Sequence, residues 1–271
     1  MNSGTLSMAA TAAFCSLVVP AATAQADLAT WGSFDSSRIA YTGGVLTTGD
    51  GYDEFRTIIM ANNGTLVSPT STLTASYLNG IDVFYTSLLH DSNGTLSGAE
   101  QTALHDWISA GGTLIVTADI VALNGYNTFT SSYGVTNYQS QGLFSVPDGN
   151  AIATHPITEN VNFYRGGSYS TFTFGQDALA LFQDVGDSST FMVVLEPGSG
   201  FNGGGRILVM GDHNILTDSF IDENGANNRI LANNIAAWAA SSSVPEPRGL
   251  MLMAFAAFAM LAVGWRNHRT R

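Results

Sequence analysis

Residues 97–117, SGAEQTALHDWISAGGTLIVT, decide the fold. Ser97 and Glu100 have the spacing of a capping box, in which each side chain satisfies a backbone N–H at a helix start. Residues 111–112, both glycine, end the predicted helix because a residue without Cβ adopts a left-handed cap at low cost. Residues 113–117 follow as a strand that is apolar on both faces. Such a unit predicts an α/β fold with a mostly parallel, doubly wound sheet and helices on both faces.

The flanking sequence continues this alternation of helix and strand. Residues 38–41 begin a short apolar run, and the stretch after Asp119 is rich in loop residues as far as residue 157. The other predicted helices are 50–61, 73–78 and 227–239, with Asn227 or Asn228 as the last N-cap. The other predicted strands are 65–67, 81–86, 178–183, 191–195 and 206–210.

The charge of the chain excludes one class of partner. Its 271 residues carry nine basic residues, all arginine, against 21 acidic ones, for a net charge of −12. Within residues 27–243, five arginines face twenty acids, so this segment has a net charge of −15. Binding to nucleic acid needs a clustered basic surface, so no nucleic-acid partner is predicted.

The first 26 residues read as a signal peptide. They contain no charged side chain, and an apolar run ending at Pro20 is followed by the cleavage patterns A-x-A at 22–24 and 24–26. The only cysteine, Cys15, lies in this segment, so the mature protein has neither a disulfide nor a thiol nucleophile. Residues 27–243 are then expected to form one exported α/β domain.

The other end of the chain has three features in fixed order. The motif Val244-Pro245-Glu246-Pro247 comes first. Residues 249–265 are an apolar run with about the minimum length of a membrane-spanning helix. Residues 266–271 form a basic tail that carries Arg266, Arg269 and Arg271 and is placed in the cytoplasm by its charge.

Residues 244–271 closely resemble the PEP-CTERM sorting signal of Gram-negative bacteria. The resemblance implies recognition by an exosortase, a membrane protease-transpeptidase that cuts near the motif. The protein would be a single-pass inner-membrane intermediate that then reaches the cell surface or the medium. Exopolysaccharide is a second candidate partner.

The domain itself resembles the class I glutamine-amidotransferase-like domains. The resemblance rests on short motifs: residues 96–100, Leu104, Trp107, 111–112, 114–116, 155–158, 204–206, 211–212 and Trp238. It implies a flavodoxin-like fold. Members that hydrolyse glutamine use a cysteine nucleophile with a histidine and a glutamate, and this chain has no cysteine there.

A possible site lies at strand ends. Asp212 and His213 follow strand 206–210, and Asp119 follows strand 113–117. Ligands of open α/β sheets gather outside the carboxyl ends of strands, so these residues are the basis of an alternative function as an extracellular hydrolase or metal-dependent enzyme. An acidic turn with a helix cap explains the same residues without chemistry, and residues 222–225 are only a fragment of a calcium loop.

Several other signals point to structure rather than to chemistry. Residues 198–203 satisfy G-x-G-x-x-G, but a strand follows, which predicts a hairpin or surface loop. His105 and His268 are expected to be solvated, whereas His90 is placed near the rim of the sheet. A carbohydrate-binding module is a further alternative, based on the aromatic residues Tyr126, Phe129, Tyr133, Tyr138 and Phe144.

The sequence thus favours an exported, non-catalytic surface or matrix protein that is sorted through its C-terminal signal. No catalytic residue, metal ligand or cofactor is assigned.

Overall fold

The computed structural model describes residues 28–41, 43–90, 92–120, 123–141, 148–186, 188–200, 203–223 and 226–241. The predicted signal peptide, the motif at 244–247, the apolar segment at 249–265 and the basic tail lie outside these residues. Among the helices within the described ranges, none combines the length and apolar character needed to cross a membrane.

The described residues form a mixed α/β domain. The helices are α1 (Asp53–Ala61), α2 (Ala75–Leu78), α3 (Gly98–Ser109), α4 (Leu123–Thr130) and α5 (Asn228–Ala240). The strands are β1 (Ala29–Ser33), β2 (Gly64–Leu66), β3 (Val83–Thr86), β4 (Thr113–Thr117), β5 (Val135–Ser140), β6 (Asp148–Ala151), β7 (Phe163–Arg165), β8 (Ser170–Phe174), β9 (Leu179–Asp184), β10 (Thr190–Leu195) and β11 (Arg206–Met210).

One large sheet has the order β2-β1-β3-β4-β11-β10-β9-β6-β7, and β5 pairs with β8 in a separate two-stranded sheet. The pairs from β2 to β11 are parallel. The pairs from β11 to β7 are antiparallel. The expectation of a mostly parallel sheet is therefore wrong, because the two pairing modes occur equally often in the large sheet.

Short connections explain two of the antiparallel pairs, β9 with β10 and β10 with β11. A parallel pair needs a crossover of a dozen or more residues, whereas a hairpin needs only a few. The five residues between β9 and β10 include Ser188 at φ +60°, and the β10–β11 loop contains Gly198 and Gly203 with positive φ. The backbone N–H of Gly198 donates to the carbonyl of Gly203 at 2.8 Å, so the predicted hairpin at 198–203 is confirmed.

Helices on both faces of the sheet are confirmed. Alternate strand residues point to opposite faces, so Val83 and Tyr85 belong to one hydrophobic cluster and Phe84 to the other. The first cluster packs against α1 and α5 through residues such as Phe55 and Leu231. The second packs against α2, α3 and α4. This two-sided burial is why the parallel strands read as continuous apolar runs.

The sequence prediction missed β1, α4 and the four strands β5 to β8. Strand β1 lies between β2 and β3 with Trp31 fully buried, but its sequence ATWGS has almost no β-branched residue. The predicted run at 38–41 provides only an isolated bridge from Ile39 to Leu89. Helix α4 occupies a stretch that the sequence predicted as loop, since Gly, Asn and Thr have low helix propensity and tertiary packing overrides it.

The capping predictions had different outcomes. At α3, the side chain of Ser97 accepts from the N–H of Glu100, and the Glu100 carboxylate accepts from the N–H of Ser97, so the capping box is confirmed. Asn227 occupies the N-cap position of α5, so that prediction is confirmed, but its side chain makes no capping bond to the helix. Its Oδ1 instead accepts from the backbone N–H groups of Asn162 and Phe163, because the strand-entry loop lies beside it.

Candidate functional site

The strand ends of β4 and β11 bring three ionisable side chains together. The two strands are parallel neighbours, with Thr117 opposite Met210, so residues two positions beyond each strand end reach the same edge of the sheet. These residues are Asp119 and Asp212, and His213 follows directly. One ligand-type atom from each of the three side chains lies within 4.8 Å of the others. The structure therefore unites the three residues that the sequence had placed at strand ends.

All three side chains are buried: Asp119 is 4% exposed, Asp212 0% and His213 4%. Oδ2 of Asp119 lies 2.8 Å from Nδ1 of His213 and also accepts from Nδ2 of Asn214 at 3.3 Å. In the neutral imidazole, this contact places the proton on Nδ1 and leaves Nε2 as an acceptor. Nε2 of His213 is buried and has no hydrogen-bond partner among the described residues.

Asp212 holds two loop segments. Its Oδ1 accepts from the backbone N–H of Asn214 and its Oδ2 from the backbone N–H of Gly167, both at 2.7 Å. A Cβ at position 166 would lie 1.7 Å from Oδ2, so only glycine permits this close approach. The site thus depends on a glycine pair that the sequence analysis did not single out.

Burial raises the pKa of Asp212 from its ordinary value of 3.8 to about 7. Removing a carboxylate from water penalises its charged form. The neighbouring His213 opposes this rise, the carboxylate of Asp119 adds to it, and the backbone N–H bonds from Asn214 and Gly167 again oppose it. The site therefore holds a carboxyl group that is poised to gain or lose a proton near neutral pH.

Tyrosine side chains lie near the cluster. The Tyr85 hydroxyl donates to the Tyr52 hydroxyl at 3.1 Å, and Tyr52 in turn lies 3.1 Å from Oγ of Ser87. Burial raises the pKa of Tyr85 to about 12, and the charge of Asp212 contributes to the rise. The Tyr41 ring lies 5.3 Å from the His213 ring. Phenols and hydroxyls offer hydrogen bonds here without adding positive charge.

A different histidine–carboxylate pair lies at the opposite ends of the strands, beside Arg206 at the start of β11. Nε2 of His155 lies 2.8 Å from Oε1 of Glu196, which also accepts from the indole N–H of Trp238 at 2.7 Å. Arg206 lies 3.4 Å from the second oxygen of Glu196. Nδ1 of His155 accepts from the backbone N–H of Ile157. These bonds tie strand ends to helix α5, and no motif in the sequence marks this cluster.

The remaining predicted residues are dispersed. His90 and His105 are exposed, and His90 contacts Ser92 rather than the acidic cluster. Four of the aromatic residues proposed for carbohydrate binding, Tyr126, Phe129, Tyr133 and Tyr138, are buried. They cannot form an exposed platform on which a sugar would stack, so these four residues do not support a carbohydrate-binding module. His268, Phe144 and residues 224–225 lie outside the described residues.

Fold and site define a class: mixed α/β domains with a buried aspartate–histidine cluster at the carboxyl ends of parallel strands. Residues 46–235 match the family described as a domain of unknown function, DUF4350, and the chain belongs to that family. Comparison with curated proteins gives no sequence match.

Solved structures share the fold. The N-terminal domain of mmIFT52 is similar with a TM-score of 0.61 and 13% identity, covering 80% of this chain and 99% of that one. The cytoplasmic protein STM3548 from Salmonella typhimurium gives 0.54 and 10%, covering 78% and 98%. A β-galactosidase from Rahnella sp. R3 gives 0.52 and 13%, covering 79% of this chain but 31% of that chain. At such identities, similarity extends to the fold alone.

Proposed function

We propose that this chain is an exported protein that an exosortase sorts to the cell surface, where its α/β domain acts by binding or as part of a matrix rather than by catalysis. The observation that carries the proposal is the order of three features at the C-terminus: the Pro-Glu-Pro motif, the apolar run and the arginine-rich end. Proline is disfavoured inside a helix and biases the residue before it toward an extended backbone, a conformation suited to binding by a protease.

The geometry of the strand-end cluster supports a structural or binding role. Both oxygens of Asp212 accept backbone N–H bonds, and Asp119 fixes the ring of His213. Each carboxylate therefore holds loop backbone or a neighbouring side chain in place. The strongly acidic domain suits solubility at a cell surface, and it would approach an anionic polysaccharide only through bridging divalent cations.

We also infer a flavodoxin-like, glutamine-amidotransferase-like core for the parallel half of the sheet. The order β2-β1-β3-β4-β11 corresponds to the flavodoxin order 2-1-3-4-5 when these five strands are numbered along the chain. The antiparallel strands β10, β9, β6 and β7 extend this core at one edge.

The sorting proposal is tested by expressing the full chain in a host with and without a matching exosortase. Mass spectrometry of the released ectodomain should find a C-terminus near Pro245, and Glu246→Gln should abolish release. Glu159→Gln, at an exposed position of the folded domain, is the matched control and should be released normally. An intact tail in both hosts would refute sorting.

A hydrolase is the second candidate, and one observation favours it. The Asp119–His213 hydrogen bond orients the imidazole and leaves Nε2 free to accept a proton, as a general base requires. This function predicts turnover of chromogenic acyl, glycosyl or phosphoryl substrates that His213→Gln abolishes and His155→Gln preserves. Activity that survives His213→Gln would exclude this site.

A further inference from the structure

The strand-end cluster contains more buried negative charge than the protein balances. Asp119 and Asp212 are both buried, and among the described residues one basic side chain, His213, shares the cluster with the two carboxylates. The chain has no lysine. No arginine hydrogen-bonds to either aspartate within the described ranges; Arg38 and Arg206 pair instead with Glu100 and Glu196. Burying an unbalanced carboxylate is costly, so a proton or a cation is needed.

The histidine–carboxylate pair at the opposite ends of the strands has enough basic groups to balance its negative charge. There one carboxylate, Glu196, faces both His155 and Arg206. That arrangement has one acid and two basic groups, whereas the strand-end cluster has two acids and one. The deficit of positive charge therefore belongs to the strand-end cluster and is not a general feature of histidine–carboxylate pairs in this domain.

Two unpartnered polar atoms accompany the deficit. Nε2 of His213 is buried and has no partner among the described residues. The hydroxyl of Tyr164, a fully buried residue, also lacks a partner there; burial raises its pKa, and the charge of Asp212 adds to the rise. Buried polar atoms are almost always hydrogen-bonded in folded proteins, so the unpaired Nε2 of His213, whose ring contacts the buried Asp119, supports a ligand at this cluster.

We propose that Asp119, Asp212 and His213 bind a divalent first-row transition-metal ion of the zinc type. One nitrogen and two oxygens match the ligand set that Zn²⁺ accepts, and three protein ligands leave a further position for water. Calcium fits less well, because it takes six to eight oxygen ligands and does not favour imidazole. The ion supplies the positive charge that the cluster lacks.

Each ligand retains the capacity to bind. A carboxylate oxygen has two lone pairs, and the N–H groups of Asn214 and Gly167 use one on each oxygen of Asp212. These bonds would then orient the carboxylate toward the ion. Metal binding requires an ionised Asp212 and a neutral His213; if Nδ1 is the ligand, the imidazole proton moves to Nε2 and the ring stays neutral.

The proposal is tested on the full chain, purified in detergent without a histidine tag and dialysed against a chelator. Equilibrium dialysis with Zn²⁺ should yield about one bound ion per chain, and the melting temperature should rise with Zn²⁺ more than with Ca²⁺. His213→Gln should weaken Zn²⁺ binding by at least about a hundredfold. His155→Gln is the matched control and should bind as the native chain does.

A second measurement uses only the native chain, so it does not depend on whether a variant folds. Co²⁺ bound to the native chain should show visible d–d absorption that Zn²⁺ removes by competition. Absence of Zn²⁺ and Co²⁺ binding to the folded native chain overturns the proposal. Undiminished binding in folded His213→Gln also overturns it, since the ion would then lie elsewhere.

Discussion

Nδ1 of His213 lies 2.8 Å from Oδ2 of Asp119, although 94 positions separate the two residues in the chain. The contact forms because β11 inserts beside β4 as a parallel neighbour, after the chain has completed β5 to β10 elsewhere. Asp119 and His213 come into contact only when β4 and β11 have paired in the central sheet, so this contact forms only in the assembled domain.

The first prediction concerns pH. The folded pKa of Asp212, about 7, exceeds its unfolded value, so the native state binds the proton more tightly. The stability that this group contributes is fully present below pH of about 4 and is lost as pH rises to about 7, by up to about 4 kcal/mol. Urea unfolding of chelator-treated protein across this range measures it.

The control for that prediction compares the pH dependence of stability in two aspartate variants. Asp212→Asn should remove this component of the pH dependence, whereas Asp106→Asn, at an exposed position of α3, should retain it. Equal pH profiles for Asp212→Asn and the native chain would contradict the assignment of the titration to Asp212.

Gly166→Ala should destabilise the domain by about 1–3 kcal/mol or more, because its Cβ would overlap Oδ2 of Asp212. Gly175→Ala is the matched control: Gly175 is exposed and no heavy atom lies within 4 Å of an added Cβ. Thermal melts of both variants provide the comparison. A Gly166→Ala protein as stable as Gly175→Ala would show that the 166–167 loop does not approach Asp212 as described.

Arg38→Met should cost about 3–5 kcal/mol, because it leaves the buried Glu100 carboxylate without its cationic partner. Arg38 also donates to the carbonyls of Ser71, Gly94 and Thr95, which would lose a donor. Chemical denaturation measures the change. Arg229→Met provides the contrast, since the partly exposed pair of Arg229 with Asp222 is worth about 1 kcal/mol or less. Similar losses in both variants would contradict this reading.

Ser97→Ala should destabilise the domain by about 1 kcal/mol through loss of the capping bond at the start of α3. Ser109→Ala, at the exposed end of the same helix, should change stability by less than about 0.5 kcal/mol. Amide hydrogen exchange in the first turn of α3 should accelerate in Ser97→Ala alone. Unchanged exchange there would refute the cap.

Local signals made part of this fold predictable. The capping box at Ser97 and Glu100, the glycines after α3 and the apolar strand β4 are all encoded within 21 consecutive residues, 97–117. The site was also predicted in part, because Asp119, Asp212 and His213 each follow an apolar run. Strand β1 could not be found in this way, since its burial comes from neighbours that approach it from distant segments.

The sequence by itself determined the α/β class, a turn or loop at 198–203 and the position of acids at strand ends, because capping, turn formation and apolar periodicity act over a few residues. Only the tertiary structure decided that half of the large sheet is antiparallel, that Gly167 donates to Asp212, and that Asp119 meets His213. Strand order and register depend on which distant surfaces bury each other, and no local propensity specifies that choice.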